Sequence, residues 1–303
     1  MTRVVFFGTP EEAVPTLEAL ASRYEVGLVV TQPDRPKGRS GRPQPPPVKQ
    51  EAERLGLLVA QPVNGAEMAE AVNSQPFELG VVVAYGRILR PGVLDVIPGG
   101  ILNVHFSLLP RWRGAAPVAR ALMAGDTMTG VTIIRLDEGL DTGPVLTAQL
   151  VDIHPAEDAG TLTARLAHLG AALLVSVIPG YLSGEVVPIP QSDDGATYAD
   201  KLTAADRPLG GIGDPAVFLA RVRGLAPEPG AVLRIDGEPH RILAARMGDH
   251  APAEGRWELV DGVPVVALGT AGVELVTLQP PGGRPMGGEA WARGRRREGG
   301  SVG

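Results

Sequence analysis

The chain has 303 residues, 44% of them apolar and 20% charged, with a net charge of −6 and no cysteine. That length suits one large or two ordinary domains, each with its own core. The lack of cysteine removes disulfides, thiolate metal sites and cysteine nucleophiles, and the acidic balance argues against indiscriminate nucleic-acid binding. The charge is uneven: residues 207–303 hold 12 Arg and no Lys against 11 acids, a net of +1, whereas the remainder carries −7. The five histidines, at 105, 154, 168, 240 and 250, show neither HxxxH nor HExxH spacing, so metal-free chemistry is expected. No run approaches the ~18 consecutive apolar residues of a membrane helix. The opening MTRVVFFGTPEE, its apolar run broken by Gly8 and two acids, is unlike a signal peptide, and a cytoplasmic location is expected.

Val4 to Phe7 reads as a short buried strand, and Thr9 as cap, Pro10 at the first helical position and Glu11 and Glu12 in the first turn predict a helix to about Ser22. With a strand at Val26 to Thr31 this makes a βαβ unit. Its lone Gly8 is not the GxGxxG fingerprint, so a nicotinamide cofactor is not expected. Pro33 to Pro47 holds six prolines and four basic residues, Arg35, Lys37, Arg39 and Arg42, against Asp34. Such a stretch reads as a solvated linker or polyproline ligand, or, inside an alternating α/β domain, as a functional basic loop. A helix at Val48 to Leu55, a strand near Leu57 to Ala60 and a helix at Ala66 to Asn73 follow. Leu79 to Ala84, with consecutive valines at 81–83, predicts a strand covered on both faces. It ends at Ala84, Tyr85 and Gly86, small enough for a flat ligand to approach the backbone and equally readable as a plain turn.

After a short helix at Pro91 to Val96 comes the strand Ile101 to His105. Alternation points Asn103 and His105 to one face and Val104 into the core. An Asn amide and an imidazolium are donors of similar reach, suited to a developing oxyanion, at the carboxyl end of a strand, where ligands bind in open α/β sheets. A carboxylate would keep the imidazole charged near neutral pH, and Asp141, in the turn EGLDTGP, offers one. Each residue singly also reads as a turn former, a cap or a satisfied strand-end histidine. Pro117 opens a helix to Ala124. Trp112, between Arg111 and Arg113, suits stacking, phosphate binding or anchoring its loop. The strands Val131 to Leu136 and Val145 to Leu150 are connected too closely for a crossover, so antiparallel partners are expected. Thr161 to Gly184 reads as an amphipathic core helix through Leu162, Leu166, Leu169 and Leu173, with His168 on the surface.

From Ile189 to about Asp206 the pattern dissolves into a linker. A helix at Asp214 to Arg223 precedes five short strands, Ala231 to Ile235, Arg241 to Arg246, Arg256 to Val260, Val263 to Leu268 and Val273 to Leu278, at a spacing that fits a small OB-like β-barrel. The expected fold is therefore α/β: a Rossmann-like, mostly parallel sheet over residues 1–189, a linker over 190–206, and an OB-like barrel over 207–303.

The order Asn103, His105, SLLPRWRGAAP from Ser107 to Pro117, and GLDTG from Gly139 to Gly143 resembles the folate-dependent formyltransferases. TQPDRPKGR from Thr31 to Arg39 and the full RWRGAAP run resemble the branch acting on methionyl-tRNA, and the likeness extends from FFGTPE at Phe6 to LQPPGGRPM ending at Met286. The resemblance implies 10-formyltetrahydrofolate as co-substrate without a metal, and initiator methionyl-tRNA as partner, with neither a membrane nor DNA as partner and a monomeric state. It also implies catalytic Asn103, His105 and Asp141. Folate contacts would come from Ala84, Tyr85, Gly86, Ser107, Leu108, Leu109, Pro110 and Asp137, and tRNA contacts from Arg35, Lys37, Arg39 and Arg42, with Arg295 and Arg296 in the C-terminal domain. The chain departs from the family at DRPLGG (Asp206 to Gly211) and APEPG (Ala226 to Gly230), expected to alter C-terminal packing, and at Phe106, expected to narrow the folate pocket.

The implied reaction is attack of a neutral α-amino group on the formyl carbon, with Asn103 and protonated His105 meeting the charge on the formyl oxygen and Asp141 holding His105 charged. Formyl transfer to a small amine such as a nucleotide sugar or glycinamide ribonucleotide shares the same three residues. Hydrolysis of the formyl donor, and a binding protein with an inactive transferase-like front, are further alternatives.

Overall fold

The computed structural model describes residues 2–36, 41–295 and 298–303. In chain order its first elements are β1 (Arg3–Gly8), α1 (Val14–Ala21), β2 (Glu25–Val30), β3 (Arg35–Pro36), β4 (Pro43–Gln44), α2 (Pro47–Arg54), β5 (Val59–Ala60), α3 (Gly65–Asn73) and β6 (Leu79–Val83). Next are α4 (Pro91–Leu94), β7 (Ile101–His105), α5 (Pro117–Met123), β8 (Met128–Arg135), β9 (Val145–Asp152) and α6 (Ala159–Ser183). The remainder comprises α7 (Pro215–Leu225), β10 (Ala231–Ile235), β11 (Glu238–Gly248), β12 (Arg256–Val260), β13 (Val263–Leu268), β14 (Ala271–Gln279), β15 (Met286–Gly287), α8 (Gly288–Arg295) and β16 (Gly299–Ser301).

The chain divides into two compact units. One comprises residues 1–115, 129–151 and 163–199; the other comprises 116–128, 152–162 and 200–303.

The first unit is built on a seven-stranded sheet in the order β5-β2-β1-β6-β7-β8-β9. β2, β1, β6 and β7 run parallel, and β8 lies antiparallel to β7 with Asn103 opposite Ile134. The parallel core strands are apolar throughout because both faces are covered: Val4, Phe6, Val81 and Val83 are fully buried, as are Val5 and Phe7 on alternate positions. One face closes with Met68 and Val72 of α3 and with Phe77, Leu89, Val93 and Ile97. On the other, Gly170 of α6 lets that helix approach the sheet, since a Cβ there would meet Val104 and Val131. α6 is long and apolar enough to cross a membrane by length and composition, yet half of its most apolar stretch is buried within the protein, with Leu166, Leu174 and Ile178 at zero exposure. Leu169 and Leu173 are only half-buried, and His168 is exposed.

The opening differs from the capped helix expected. Pro10 stands at the cap with no side-chain hydrogen bond, a 3₁₀ turn spans Glu11–Ala13, and α1 follows. Thr9 is turned inward instead, its Oγ1 donating to the Tyr85 carbonyl at 2.9 Å. The acids in the turn still favour a helix N-terminus.

In the second unit β10-β11-β14-β13-β12-β16 form an antiparallel sheet. It closes on itself, because Val302 bridges back to Ile235 and Asp236 N donates to the Ser301 carbonyl at 2.9 Å. The result is a small barrel, which abolishes sheet edges. Its core joins Phe218 and Leu225 of α7 to Ile235, Ile242, Trp257, Val266, Leu275, Leu278 and Trp291. Leu209, inside the divergent DRPLGG stretch, is 1% exposed and belongs to that core, so the family departure there is compatible with a closed interior. α8 was not foreseen: GEAWARGR carries two glycines and three charges, a weak helical pattern. It is held by Trp291, packed edge-on against Trp257 with ring centroids 5.1 Å apart.

Candidate active site

β7 ends with Asn103 and His105, two residues apart and on one face of the strand. Both meet Asp141. Asn103 Nδ2 donates to Asp141 Oδ1 at 3.2 Å, and His105 Nδ1 lies 3.6 Å from Asp141 Oδ2. The His105 side chain is 6% exposed and that of Asp141 13%, so the pair is little screened by solvent. His105 Nε2–H donates to the Trp112 carbonyl at 2.8 Å. Each ring nitrogen therefore has an oxygen beside it. At 3.6 Å the Nδ1–Asp141 contact is longer than a good hydrogen bond, which leaves Nδ1 capacity for a further partner. The second hydrogen of Asn103 Nδ2 has the same capacity.

Asp141 is presented by a turn with little freedom. Its own φ is +53°, a left-handed conformation that costs a non-glycine residue about 1–2 kcal/mol. Gly143 follows because a Cβ there would collide with the Arg135 carbonyl. Asp141 Oδ2 also accepts from the Gly114 backbone N–H at 2.8 Å, and Gln191 Nε2 donates to the carbonyls of Asp141 and Gly143 at 2.8 and 2.7 Å.

The loop after β7 is fixed at both ends. Thr132 Oγ1 of β8 donates to the Ser107 carbonyl at 2.7 Å and accepts from Leu109 N at 3.1 Å, while Ser107 Oγ donates to the Arg111 carbonyl. Trp112, with φ +63°, serves as an anchor: its N–H donates to Thr197 Oγ1 at 2.9 Å and its carbonyl accepts the hydrogen bond from His105 Nε2–H, with the Arg111 guanidinium over its ring at 4.5 Å. Arg113 is 2% exposed. It reaches Asp193 Oδ1 at 2.9 Å and Gln191 Oε1 at 3.0 and 3.3 Å. The buried Arg113 and its partners Gln191 and Thr197 were missed from sequence. Gln191 and Thr197 stand in the stretch read as linker, where no local signal marked them.

The other residues singled out fall into three places. Asp137, with Arg135, Leu136 and Glu138, lines a cleft of about 370 Å³ completed by Leu94, Asp95, Ile97, Pro98, Gly100 and Ile101. Its carboxylate is oriented by Gly139 N at 3.0 Å and Thr142 Oγ1 at 2.8 Å. Ala84, with φ +45°, and Gly86, with φ +80°, are exposed on the turn after β6. Tyr85 between them is buried, edge-on to Phe7, and burial raises its phenol pKa; its carbonyl accepts from Thr9 Oγ1 and Gln32 Nε2. Leu108, Leu109 and Pro110 are half-buried in the loop with Ser107 beneath them. Phe106 is 8% exposed and turned toward Gly170 of α6, and it is not among the residues lining that cleft.

Of the basic residues, Arg35 is exposed on β3 and donates to Gln32 Oε1 at 3.4 Å, and Arg42 is exposed just before β4. Lys37, Arg39 and Arg296 lie outside the described residues. The base of that loop is held by Lys49, whose ammonium is 2.9 Å from Asp34 Oδ1 and from Gln61 Oε1. Hydrogen bonds from Gln61 and Lys49 hold the Asp34 carboxyl below the usual range. Arg295 is engaged inside its own unit: it pairs with Asp236 Oδ2 at 2.9 Å and Glu238 Oε2 at 3.2 Å, donates to His240 Nε2 at 3.0 Å, and lies over Trp291. Burial lowers the His240 pKa, consistent with a neutral ring accepting from arginine. Among the described residues no group of His, Asp and Glu is placed to hold a metal ion.

Residues 2–178 match the family described as formyl transferase, and residues 216–296 match the formyl transferase C-terminal domain. The chain is 50% identical to the methionyl-tRNA formyltransferase of Halorhodospira halophila, covering 97% of this chain and 96% of the relative. It is 46% identical to the protein of that name from Aromatoleum aromaticum, covering 96% and 94%. Among solved structures, an N-formyltransferase from Helicobacter canadensis in complex with folinic acid and dTDP-3-aminofucose superposes with a TM-score of 0.71 at 15% identity, over 91% of this chain and 99% of that one. A glycinamide ribonucleotide transformylase from Symbiobacterium toebii gives a TM-score of 0.52 at 22% identity over 62% and 90%.

Proposed function

The chain belongs to the formyl transferase family, and on that premise we propose that it transfers the formyl group of 10-formyltetrahydrofolate to the α-amino group of methionyl-tRNA, the initiator species, yielding formylmethionyl-tRNA for translation initiation. The observation that carries the reaction class is the convergence of Asn103 and His105 on the single carboxylate of Asp141. The acceptor is supported by the near full-length likeness to relatives bearing that name. That likeness favours tRNA over a small amine, and favours transfer over hydrolysis.

In this reading a new bond joins the α-amino nitrogen to the formyl carbon and the bond from that carbon to N10 of the folate breaks. The amine loses a proton and N10 gains one. Asn103 Nδ2–H and His105 Nδ1–H face the formyl oxygen as charge gathers on it, donors worth most in a site little exposed to water. Asp141 stabilises the charged imidazole, and its carboxylate, reached through water, takes or relays the amine's proton. The Trp112 carbonyl fixes the ring orientation through Nε2. A free α-amino group titrates near ~7.7–8.0, so a useful fraction is nucleophilic at neutral pH without a strong base.

The cleft beside Arg135 to Glu138 fits a flat heterocycle, and the oriented Asp137 carboxylate suits its N–H donors. Backbone of Ala84 and Gly86 and the Ser107, Leu108, Leu109 and Pro110 loop complete the proposed folate contacts, with Tyr85 supporting from the core. Arg35, Lys37, Arg39 and Arg42 are proposed to grip the acceptor end of the tRNA. Arg295 as a tRNA contact competes with Asp236 and Glu238, and Arg296 is proposed as a second contact. We further propose catalytic and C-terminal domains spanning 1–189 and 207–303, joined by 190–206, and a cytoplasmic monomer acting without membrane or DNA.

The test is incubation with methionylated initiator tRNA and 10-formyltetrahydrofolate, each with and without the other, scoring formylmethionine released from the tRNA. Product that needs both supports the reading. Folate turnover without tRNA would replace it with hydrolysis or a small-amine acceptor. An Arg39→Ala enzyme is expected to raise KM for the aminoacyl-tRNA, and unchanged tRNA kinetics would remove Arg39 from the grip.

A further inference from the structure

We propose that Gln191 is a positioning residue for Asp141, acting on the backbone of the turn that carries it; this rests on the reading of Asp141 given above. The amide group of Gln191 is used at every point. Its Nε2 donates both hydrogens, to the carbonyls of Asp141 and Gly143 at 2.8 and 2.7 Å, and its Oε1 accepts from Arg113 Nη2 and Nε at 3.0 and 3.3 Å.

The chain on either side of Gln191 is fastened. Ile189 exchanges two backbone hydrogen bonds with Val145 at 2.7 and 2.8 Å, and downstream Arg113 N donates to the Thr197 carbonyl while Ala199 N donates to the Arg113 carbonyl. The Gln191 side chain is therefore a fixed strut. At one end stands the buried guanidinium of the loop after β7. At the other stands a turn whose central residue has φ +53°, a conformation that persists only where its surroundings over-determine it. Pulling the carbonyls of residues 141 and 143 toward one nitrogen fixes the turn, and the Asp141 carboxylate is thereby aimed at Asn103, His105 and the Gly114 N–H.

Two features separate this from generic packing. Asp141 receives no hydrogen bond from Gln191 through its side chain, so the effect on the site is entirely through backbone placement. And the strut ties the Asp141 turn to the buried Arg113 guanidinium, while the Trp112 loop keeps its own hold on Thr197, so loss of Gln191 frees the turn and its carboxylate. Losing alignment of this kind by about 1 Å costs on the order of 10²-fold in rate.

The experiment is a double-mutant cycle on the full chain, with steady-state kinetics for both substrates. Gln191→Met is expected to lower kcat by about 10–100-fold while KM for folate and for methionyl-tRNA stays within about threefold. In an Asp141→Asn background the same change is expected to cost less than about threefold, because the residue it positions no longer acts. Gln191→Glu keeps an acceptor for Arg113 but sets a carboxylate oxygen against the two carbonyls, so the same fall in kcat is expected with both KM values again within about threefold. Wild-type kcat in Gln191→Glu, or equal losses in the two backgrounds, would overturn the proposal. An Asp141→Asn enzyme with wild-type kcat would instead overturn the reading of Asp141 on which it rests.

Discussion

Asp141→Asn isolates the charge that the site depends on. The substitution preserves shape and leaves one oxygen to accept the Gly114 N–H at 2.8 Å, so the turn has no reason to collapse. What it removes is the negative charge 3.6 Å from His105 Nδ1, an attraction of about 4–5 kcal/mol at an effective dielectric near ~20. The one remaining oxygen accepts from either Gly114 or Asn103 but not from both, and His105 loses the carboxylate beside its Nδ1. Only the share of that attraction felt more strongly as charge develops on the formyl oxygen counts toward rate, so a fall in kcat of about 10²–10³ is expected, the usual cost of one such electrostatic element. The assay is formylation of methionyl-tRNA at saturation in both substrates, with thermal unfolding measured in parallel. A kcat within tenfold of wild type in a chain that melts normally would refute the argument that this carboxylate supports His105 in the reaction.

Asn103→Ala and His105→Asn are each expected to lower kcat by about 10²–10³ without unfolding the chain, checked by the same assay, and a near wild-type rate for either removes its role. Gly143→Ala places a Cβ against the Arg135 carbonyl and is expected to lower stability by about 1–3 kcal/mol as well as activity; an unchanged melting temperature would show that the turn has room. In the second unit, the Arg120 guanidinium, 2.6 Å from Asp206, holds that carboxyl down from 3.8 to about 2. A depressed folded-state pKa stabilises above the unfolded value and ceases to do so as pH falls through the folded one. Asp206→Asn is therefore expected to cost up to about 2 kcal/mol at neutral pH, with the difference from wild type shrinking between pH 3.8 and about 2. A pH-independent difference in melting temperature would refute the linkage.

Much of the fold is legible because the sequence is locally consistent. Leu79 to Ala84 reads as a doubly covered strand and the strand found is Leu79–Val83, and Pro117 opens its helix at the first position as expected. Ala231–Ile235, Arg256–Val260 and Val263–Leu268 are bounded by turn residues that fix them to the residue. What was not legible depends on distant partners. Thr9 looks like a cap, but the Tyr85 carbonyl, 76 positions away, takes its hydroxyl. α8 lacks helical propensity and forms because Trp291 finds Trp257. Asn103, His105 and Asp141 could be named together because a strand's alternation and a glycine-marked turn are local signals. Arg113 and Gln191 could not, since a buried arginine in a loop and a glutamine in a turn-rich stretch acquire meaning only when the chain brings them to one another.

The central claim is that Asn103, His105 and Asp141 stabilise formyl transfer to an aminoacyl-tRNA rather than merely bind its parts. The most direct measurement is single-turnover transfer from formyl-labelled tetrahydrofolate to methionyl-tRNA, with wild-type and His105→Asn enzymes compared at saturating protein and the tRNA dissociation constant measured for each. The account predicts label on the tRNA-bound methionine with wild type, and a rate about 10²-fold or more slower with the variant at an unchanged dissociation constant. Equal transfer rates, or a loss explained wholly by weaker tRNA binding, would contradict it.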